Sequence, residues 1–286
     1  MSDEVINVSG YKFASLEGLA ERRRALRATA LAHGLKGTIL LAPEGINFFL
    51  AGTRDRLTGM LDAIRAIPGL ADIRPKESPG SAQPFARMLV KIKKEIVAFG
   101  VDGVDPARRP APKITATQLK QWLDEGRPVT LLDTRNDYEV RMGTFRGAVS
   151  PGIRNFRDFP AAVERLPAEL RSQPVVMFCT GGIRCEKAGP FMAMQGYTDV
   201  RQLDGGILRY FEEVGGAHYD GECFVFDERV GVGPDLRETG SVVCFNCQMP
   251  LTIADQRRPD YVYERTCRHC IDGKPKGRGN TAPRGA

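Results

Sequence analysis

The stretch with the clearest chemical potential spans residues 175–188 and reads VVMFCTGGIRCEKA. Its first four residues are apolar and partly β-branched, which predicts a buried parallel strand. Residues 186–195 predict a helix, so Cys179 lies in the passage from strand to helix. Backbone N–H groups converge at such a passage, and the helix dipole favours negative charge there. This environment lowers the pKa of a thiol and predicts that Cys179 rests as a thiolate.

The residues that follow Cys179 predict a cradle for an anionic sulfur. The glycine pair lets the backbone curl close to the sulfur without a Cβ clash, and an arginine adds fixed positive charge. The predicted cradle consists of Thr180, Gly181, Gly182, Ile183 and Arg184. Cys185 comes next, and two roles stay open for it: a resolving thiol, or packing at the start of the helix. The alternative for Cys179 is a buried structural cysteine, which the loop composition disfavours.

A second group of cysteines lies near the end of the chain. Cys244 and Cys247 form one Cys-x2-Cys pair, Cys267 and Cys270 form another, and 19 residues separate the two pairs. This is the spacing of a zinc ribbon, in which four thiolates hold one Zn²⁺. The pattern predicts a structural zinc site, with free thiols or redox pairs as the alternative. His269, inside the second pair, is expected to be exposed, and the isolated Cys223 is expected to be buried and inert.

Length and cysteine usage indicate the broad class of protein. A chain of 286 residues is long enough for two or three domains. It contains no run of about 18 apolar residues, and its acidic N-terminus has no apolar segment typical of a secretory signal. Seven cysteines, several in Cys-x2-Cys pairs, favour metal or thiol chemistry over a disulfide framework. We therefore expect a cytoplasmic protein with no membrane partner.

The distribution of charge is more informative than the net value of +6. Residues 1–100 carry 15 basic and 10 acidic side chains, and residues 231–286 carry 9 and 6. The middle of the chain, which contains Cys179, carries 17 basic and 19 acidic side chains. Basic ends suit a polyanion that is held at its edges and presented to a central site. Ordinary solubility charge explains the same numbers equally well.

The first hundred residues predict a ferredoxin-like (acylphosphatase-like) domain. Residues 5–13 predict a strand, followed by a helix that Ser15 caps and that runs to about His33. Residues 37–41 and 46–51 predict a hairpin, and Thr53 or Asp55 caps a second amphipathic helix. Residues 71–75 predict a strand, and residues 88–99 a further extended segment. This order of strands and helices is the split βαβ pattern.

The rest of the chain predicts an open α/β sheet and a small cysteine-rich region. Residues 101–113 are rich in proline and predict a linker or surface strap. Residues 114–220 alternate strands and helices, starting with a helix over residues 118–124 that Thr115 or Thr117 caps. Ligands of such sheets bind at the carboxyl ends of the strands, where Cys179 lies. Residues 221–271 form the zinc-ribbon-like region, and residues 272–286 predict a disordered basic tail.

Several motifs of the middle region together resemble a rhodanese domain. They are, in order, LLDTR at residues 131–135, Glu139, residues 143–148, the Cys179 loop and LDGG at residues 203–206. The loop from Cys179 to Arg184 is Cys-x4-Arg, whereas the related phosphatase loop is Cys-x5-Arg and would place its arginine at Cys185. The shorter loop suits a single sulfur atom, so a phosphatase is disfavoured. Thr144 departs from the pattern, since rhodanese domains often carry histidine there, and we expect the change to affect packing more than chemistry.

The whole chain resembles a narrower family, the rhodanese-containing tRNA uridine-34 hydroxylases. The match rests on EGIN at residues 44–47, the loop CTGGIRCEK, GECFVFD at residues 221–227 and the cysteine-paired tail. The resemblance implies oxygen-dependent conversion of the wobble uridine of tRNA to 5-hydroxyuridine. It also implies Cys179 as the essential thiol, molecular oxygen as co-substrate and the anticodon stem-loop as partner.

Other functions compete with this one. A sulfurtransferase would carry a persulfide on Cys179, and the same cradle would stabilise it. A non-catalytic binding module is disfavoured because inactive rhodanese copies commonly lose the cysteine. The sequence shows no flavin, haem or non-haem iron motif, so no organic cofactor is expected. Asp133, Arg135 and Glu139 are expected to form scaffold pairs near the site.

Overall fold

A computed structural model describes residues 5–80, 82–227 and 229–271. The chain divides into two compact units, and the boundary between them falls between Ala98 and Phe99. The cysteine-rich region belongs to the second unit together with the α/β sheet. The predicted basic tail, residues 272–286, lies outside the described residues. No helix in the described part of the chain is long and apolar enough to cross a membrane.

The first unit has the predicted ferredoxin-like fold. Its elements are β1 (Val5–Phe13), α1 (Leu19–Ala32), β2 (Lys36–Ala42), β3 (Gly45–Gly52), α2 (Arg54–Arg65), β4 (Lys76–Gly80) and β5 (Met88–Ile92). The sheet order is β4-β1-β3-β2-β5, in which β1, β2, β3 and β4 pair antiparallel and β5 adds parallel to β2. The buried face of α2, with Leu57, Met60, Leu61 and Ile64, packs into the core of this unit.

Three local predictions in the first unit are wrong. Helix α1 begins at Leu19 after Gly18 in a left-handed conformation, so Ser15 does not cap it. Backbone bonds from Ala14 and Leu16 to the turn between β2 and β3 hold that segment instead. The predicted strand over residues 71–75 is a turn, and β4 starts at Lys76. The predicted extended segment over residues 88–99 is a strand only as far as Ile92.

The second unit is built around a parallel sheet. Its first ten elements are β6 (Lys113–Ile114), α3 (Ala116–Asp124), β7 (Thr130–Asp133), α4 (Asp137–Val140), β8 (Gly143–Phe145), α5 (Phe159–Val163), β9 (Val175–Phe178), α6 (Ile183–Met194), β10 (Val200–Leu203) and α7 (Gly206–Val214). The sheet order is β6-β10-β9-β7, and every pair is parallel. Strand β9 has the predicted bounds, and of the two threonines predicted as caps of α3, Thr115 caps it with a capping box.

The predicted strap before β6 contributes to this sheet. Gln202 of β10 donates its backbone N–H to Pro112 and its side-chain amide to Ala111. Ala111 is buried, and a Cβ built on Gly189 of α6 would lie 2.4 Å from its Cβ. The end of the strap is therefore packed between β10 and α6, where only glycine allows so close an approach.

The remaining elements are short. They are β11 (Tyr219–Gly221), β12 (Cys223–Phe224), β13 (Gly231–Val232), β14 (Val242–Val243), β15 (Pro250–Leu251) and α8 (Ile253–Gln256). Strand β11 pairs antiparallel with β8, β12 with β13, and β14 with β15. Residues 241–271, which we call the cysteine module, contain little apolar core beyond Leu251 and the cysteines themselves.

Candidate active site

The Cys179 loop follows the interior strand of the parallel sheet. Strand β9 lies between β10 and β7, and all four of its residues are buried. The last of them, Phe178, accepts hydrogen bonds from the backbone N–H and the hydroxyl of Thr134, both at 3.0 Å. Helix α6 begins at Ile183, three residues earlier than predicted. Cys179 therefore lies at the carboxyl end of a fixed strand, as the sequence predicts.

The sulfur of Cys179 is buried and bonded by backbone. The backbone N–H of Gly182 donates to Sγ at 3.1 Å, and Gly182 has a φ of 101°, a conformation that favours glycine. Burial alone would raise the pKa of the Cys179 thiol. The Cys185 thiol, the Arg184 guanidinium and the backbone N–H groups of Arg184 and Gly182 outweigh burial and bring this pKa well below its usual range. The site therefore stabilises a thiolate.

The side chain of Arg184 is bound to a carboxylate. Its guanidinium donates to both carboxylate oxygens of Glu139, at 2.5 and 2.7 Å, and both groups are buried. The hydroxyl of Thr180 also donates to Glu139. Arg184 was predicted to add a fixed positive charge to the cradle, and its guanidinium is fixed by Glu139. The charge of the guanidinium and the backbone N–H of Arg184 both lower the pKa of Cys179.

Helix α7 holds the carbonyl side of the loop. The backbone N–H of Ile207 donates to the carbonyl oxygen of Cys179 at 3.0 Å, and that of Leu208 donates to Thr180 at 3.1 Å. A Cβ on Gly206 would lie 2.4 Å from the carbonyl oxygen of Cys179. Residues 203–206 entered the sequence analysis only as part of the rhodanese resemblance, so this contact was missed. The available signal was the second glycine of the pair, Gly206, because one glycine is enough to form the turn before the helix.

Cys185 lies beside the reactive sulfur within the same buried pocket. It is fully buried in the first turn of α6, and its Sγ is 3.6 Å from the hydroxyl oxygen of Thr134. Burial, together with the neighbouring Cys179, raises the pKa of the Cys185 thiol well above its usual value. The pKa values of the two thiols shift in opposite directions, so the site favours a thiolate at Cys179 over one at Cys185.

A second buried ion pair supports β7. The guanidinium of Arg135 donates to both carboxylate oxygens of Asp133, at 2.9 and 2.6 Å, and to the carbonyl of Gly143 at 2.6 Å. Thr144 donates to the same carboxylate at 2.8 Å. The expectation that Asp133, Arg135 and Glu139 form scaffold pairs agrees with this geometry, and Thr144 takes a structural hydrogen bond.

The four cysteines of the cysteine module converge. The sulfurs of Cys244, Cys247, Cys267 and Cys270 all lie within 4.8 Å of one another. Cys267 is 3.5 Å from Cys247 and 3.8 Å from Cys270. Four thiolates placed tetrahedrally at about 2.3 Å from Zn²⁺ would be about 3.8 Å apart. The cluster can therefore hold a metal ion.

His269 of the cysteine module and Cys223, which lies outside the module, are not members of this cluster. His269 was expected to be exposed but is half-buried, because its backbone N–H donates to the sulfur of Cys267 at 3.4 Å and holds it beside the cluster. Cys223 is fully buried, and burial raises the pKa of its thiol to about 12, as expected of an inert cysteine.

The fold and the loop define the class of protein. A parallel sheet with a cysteine loop at the carboxyl end of an interior strand is the arrangement of a rhodanese-like domain, and the profile of the "Rhodanese-like domain" family matches residues 115–213. The profile of the "UPF0176 acylphosphatase like domain" matches residues 5–96. Both predicted fold classes are thereby confirmed.

Full-length relatives narrow the class. The chain is 51% identical to the tRNA uridine(34) hydroxylase of Cupriavidus necator, over 95% of this chain and 98% of the relative. It is 50% identical to the protein of that name from Cupriavidus taiwanensis, over 96% and 99% of the two chains. It is 49% identical to the protein of that name from Cupriavidus metallidurans, over 94% of this chain and 97% of the relative. The chain belongs to the tRNA uridine(34) hydroxylase family.

Replacing Gly206 tests the contact between α7 and the loop. Gly206→Ala adds a methyl group against the Cys179 carbonyl at a residue with a φ of 67°. Because the loop must shift, we expect the thiolate absorbance of Cys179 to fall and activity to drop about 100-fold. The destabilisation should be about 1–3 kcal/mol. Ultraviolet absorbance relative to a Cys179→Ser variant, thermal unfolding and activity measure these effects.

Gly196→Ala is the matched control for Gly206→Ala. Gly196 also has a positive φ, of 86°, but a Cβ there meets nothing within 4 Å. It therefore reproduces the backbone strain without the clash and should keep the thiolate. A wild-type thiolate and activity in Gly206→Ala would show that α7 does not position the loop.

Proposed function

We propose that this protein hydroxylates uridine 34, the wobble position of tRNA, to 5-hydroxyuridine, with molecular oxygen as co-substrate and Cys179 as the essential group. The observation that carries the proposal is the stabilised thiolate of Cys179 in a chain that aligns over nearly its full length with tRNA uridine(34) hydroxylases. The anticodon stem-loop would present uridine 34 to this site. We place the reaction in the cytoplasm, where thiols stay reduced.

A thiolate can open two routes to hydroxylation. Addition of the Cys179 sulfur to C6 of uracil would make C5 electron-rich and ready to react with oxygen. Loss of the C5 proton with expulsion of the sulfur from C6 would then restore the C5=C6 double bond and free Cys179. Alternatively, oxygen would first oxidise the thiolate, and the oxidised sulfur would transfer oxygen to C5. Both routes need the sulfur to be anionic, which the loop geometry supports.

The electron balance gives Cys185 a role. One molecule of oxygen places one oxygen atom on C5 and leaves the other as water, which requires two electrons and two protons. A thiolate and a thiol supply the two electrons and one proton when they form a disulfide, and solvent supplies the second proton. We propose Cys185 as this resolving thiol, since its side chain hydrogen bonds to that of Cys179 and both are buried.

The function is tested by mass spectrometry of nucleosides from unmodified tRNA incubated with the protein in air. We expect a 5-hydroxyuridine peak that disappears without oxygen and in the Cys179→Ser variant. The rhodanese-like domain favours sulfur transfer as the second candidate. Absence of the peak, with cyanide-releasable sulfur on Cys179 after thiosulfate treatment, would replace the hydroxylase with a sulfurtransferase.

The role of Cys185 is tested by one reaction cycle without added reductant. Peptide mapping of the wild-type protein should find a disulfide between Cys179 and Cys185, in an amount that matches the 5-hydroxyuridine formed. Samples without tRNA or without oxygen are the controls and should retain both thiols. Formation of product while both thiols stay free would assign Cys185 to packing at the start of α6.

We also propose that the metal held by the four cysteines of the cysteine module is zinc. Four thiolates are the donor set that zinc prefers in structural sites, and the metal would order a region that has little apolar core. Cys244, Cys247, Cys267 and Cys270 would be its ligands. With four protein ligands no position is left for substrate, so its role would be structural.

Native mass spectrometry and metal analysis of the full chain test the zinc site. We expect about one zinc per chain, lost in Cys247→Ser and retained in Cys223→Ala, which removes a buried cysteine outside the cluster. Removal of the metal by a chelator should make the cysteine module sensitive to protease. A metal-free wild-type chain with the same protease resistance would contradict the assignment.

A further inference from the structure

The cysteine module has an unusual surface. Five of the eight strongly exposed large apolar side chains of the described residues lie within it: Phe245, Ile253, Val262, Tyr263 and Ile271. Phe245 is 72% exposed and Tyr263 is 73% exposed, and no other aromatic residue in the described ranges is classed as exposed. Exposed aromatic rings cost free energy in water, so such a concentration indicates a binding surface.

Both rings are carried on rigid turns. Phe245 lies in the turn between β14 and β15, which is closed by backbone bonds from Cys244 to Met249 and from Gln248 to Cys244, at 2.8 and 2.9 Å. Tyr263 lies at the tip of a second turn, where Val262 and Thr266 exchange two backbone bonds of 3.0 Å. A ring on a rigid turn loses little entropy on binding.

The cysteine cluster brings the two turns into one body. Cys244 directly precedes Phe245, and Cys267 directly follows the turn that carries Tyr263. The sulfurs of these two cysteines belong to the cluster whose members lie within 4.8 Å of one another. The two turns that carry the exposed rings are therefore joined at one cysteine cluster.

The charges beside these rings favour an anionic partner. Four exposed arginines lie in the same module: Arg257, Arg258, Arg265 and Arg268. Arg258 pairs with Asp260 and Arg268 with Asp255, each at 2.9 Å. Arg257 and Arg265 have no ion pair among the described residues. Residues 241–271 carry four arginines and three acidic side chains, so their net charge is 4 − 3 = +1. Exposed aromatic rings and unpaired arginines within one small module are the combination that stacks unpaired bases and contacts their phosphates.

We infer that Phe245 and Tyr263 form a stacking platform for unpaired RNA bases, with Arg265 and Arg257 contacting the phosphates between them. The inference rests on the proposed function for its partner, the anticodon loop of tRNA. The platform assigns recognition of the loop to the cysteine module, separate from the chemistry at Cys179. Metal binding by the cysteines then matters for RNA affinity because it fixes the two turns.

Leucine and aromatic substitutions separate stacking from simple apolar contact. Leucine keeps an apolar surface but has no π face, whereas tyrosine and phenylalanine keep the ring. We expect Phe245→Leu and Tyr263→Leu each to raise the Kd for a synthetic anticodon stem-loop about tenfold. Phe245→Tyr and Tyr263→Phe should bind like the wild type. The measurement is fluorescence anisotropy with the full chain and a labelled stem-loop that has uridine at position 34.

Two controls define what the change in Kd means. A labelled duplex with the same stem but no loop offers no unpaired bases, so its Kd should stay the same in all four variants. Met194→Ala removes an exposed apolar side chain of the same unit, 55% exposed, and should leave the Kd for the stem-loop unchanged. Unchanged circular dichroism and metal content show that the leucine variants fold.

Salt dependence tests the arginine contact. Arg265→Gln should lower the slope of log Kd against log salt by about 0.7, the value for one phosphate of a single strand. An unchanged slope would remove Arg265 from the RNA surface.

Three outcomes would overturn the platform. In the first, the leucine variants bind the stem-loop as tightly as the wild type. In the second, the leucine variants lose affinity for the loop and for the duplex equally. In the third, sedimentation shows a wild-type dimer that the leucine variants dissociate, which would assign the surface to a second copy of the chain.

Failure of the platform and failure of the proposed function remain distinguishable. Wild-type protein that forms 5-hydroxyuridine, with leucine variants of unchanged KM, would reject the platform alone. Wild-type protein that forms no 5-hydroxyuridine, but binds the stem-loop through the two rings, would reject the hydroxylase alone.

Discussion

The site depends on how the backbone of the Cys179 loop satisfies its hydrogen bonds. A buried thiol stays neutral unless several donors face it, because burial disfavours its charged form. The N–H groups of α7 take the carbonyl oxygens of Cys179 and Thr180. The N–H of Gly182 is directed at the sulfur. Helix α7 thus fixes the loop through the carbonyl oxygens of the loop. The start of α6 supplies the N–H donors for the anionic sulfur.

Buried ion pairs keep this arrangement rigid without adding net charge. Arg184 and Glu139 pair with each other within the site. The Cys185 thiol, the guanidinium of Arg184 and the backbone N–H groups of Arg184 and Gly182 together stabilise the sulfur at short range. Such groups are fixed before the reaction and need no reorganisation when charge moves. Removing either partner would leave an uncompensated buried charge, which costs about 3–5 kcal/mol. The ion pair between Arg184 and Glu139 therefore contributes to the stability of the domain and also holds the geometry of the Cys179 loop.

The sequence predicts the elements that depend on local pattern. The apolar run of β9 and the capping threonine of α3 are found where they were predicted. The cap at Ser15 fails because backbone bonds to a distant turn take that segment. The spacing of residues in the sequence did not predict the ion pair of Arg184 either, because Glu139 reaches Arg184 only through the packing of α4. Long-range contacts, which leave no periodic signal, account for most of the differences.

The central claim is that a preformed thiolate at Cys179 carries the reaction. The most direct test compares two titrations of the wild-type protein: the thiolate absorbance of Cys179 and the rate of 5-hydroxyuridine formation under single-turnover conditions. A lowered pKa means that the thiolate persists as pH falls and is lost only at the folded-state pKa. Both curves should therefore share one midpoint, well below the value of about 8.5 for a free cysteine. A rate that falls near the free-cysteine value, or one that does not follow the absorbance, would contradict the account.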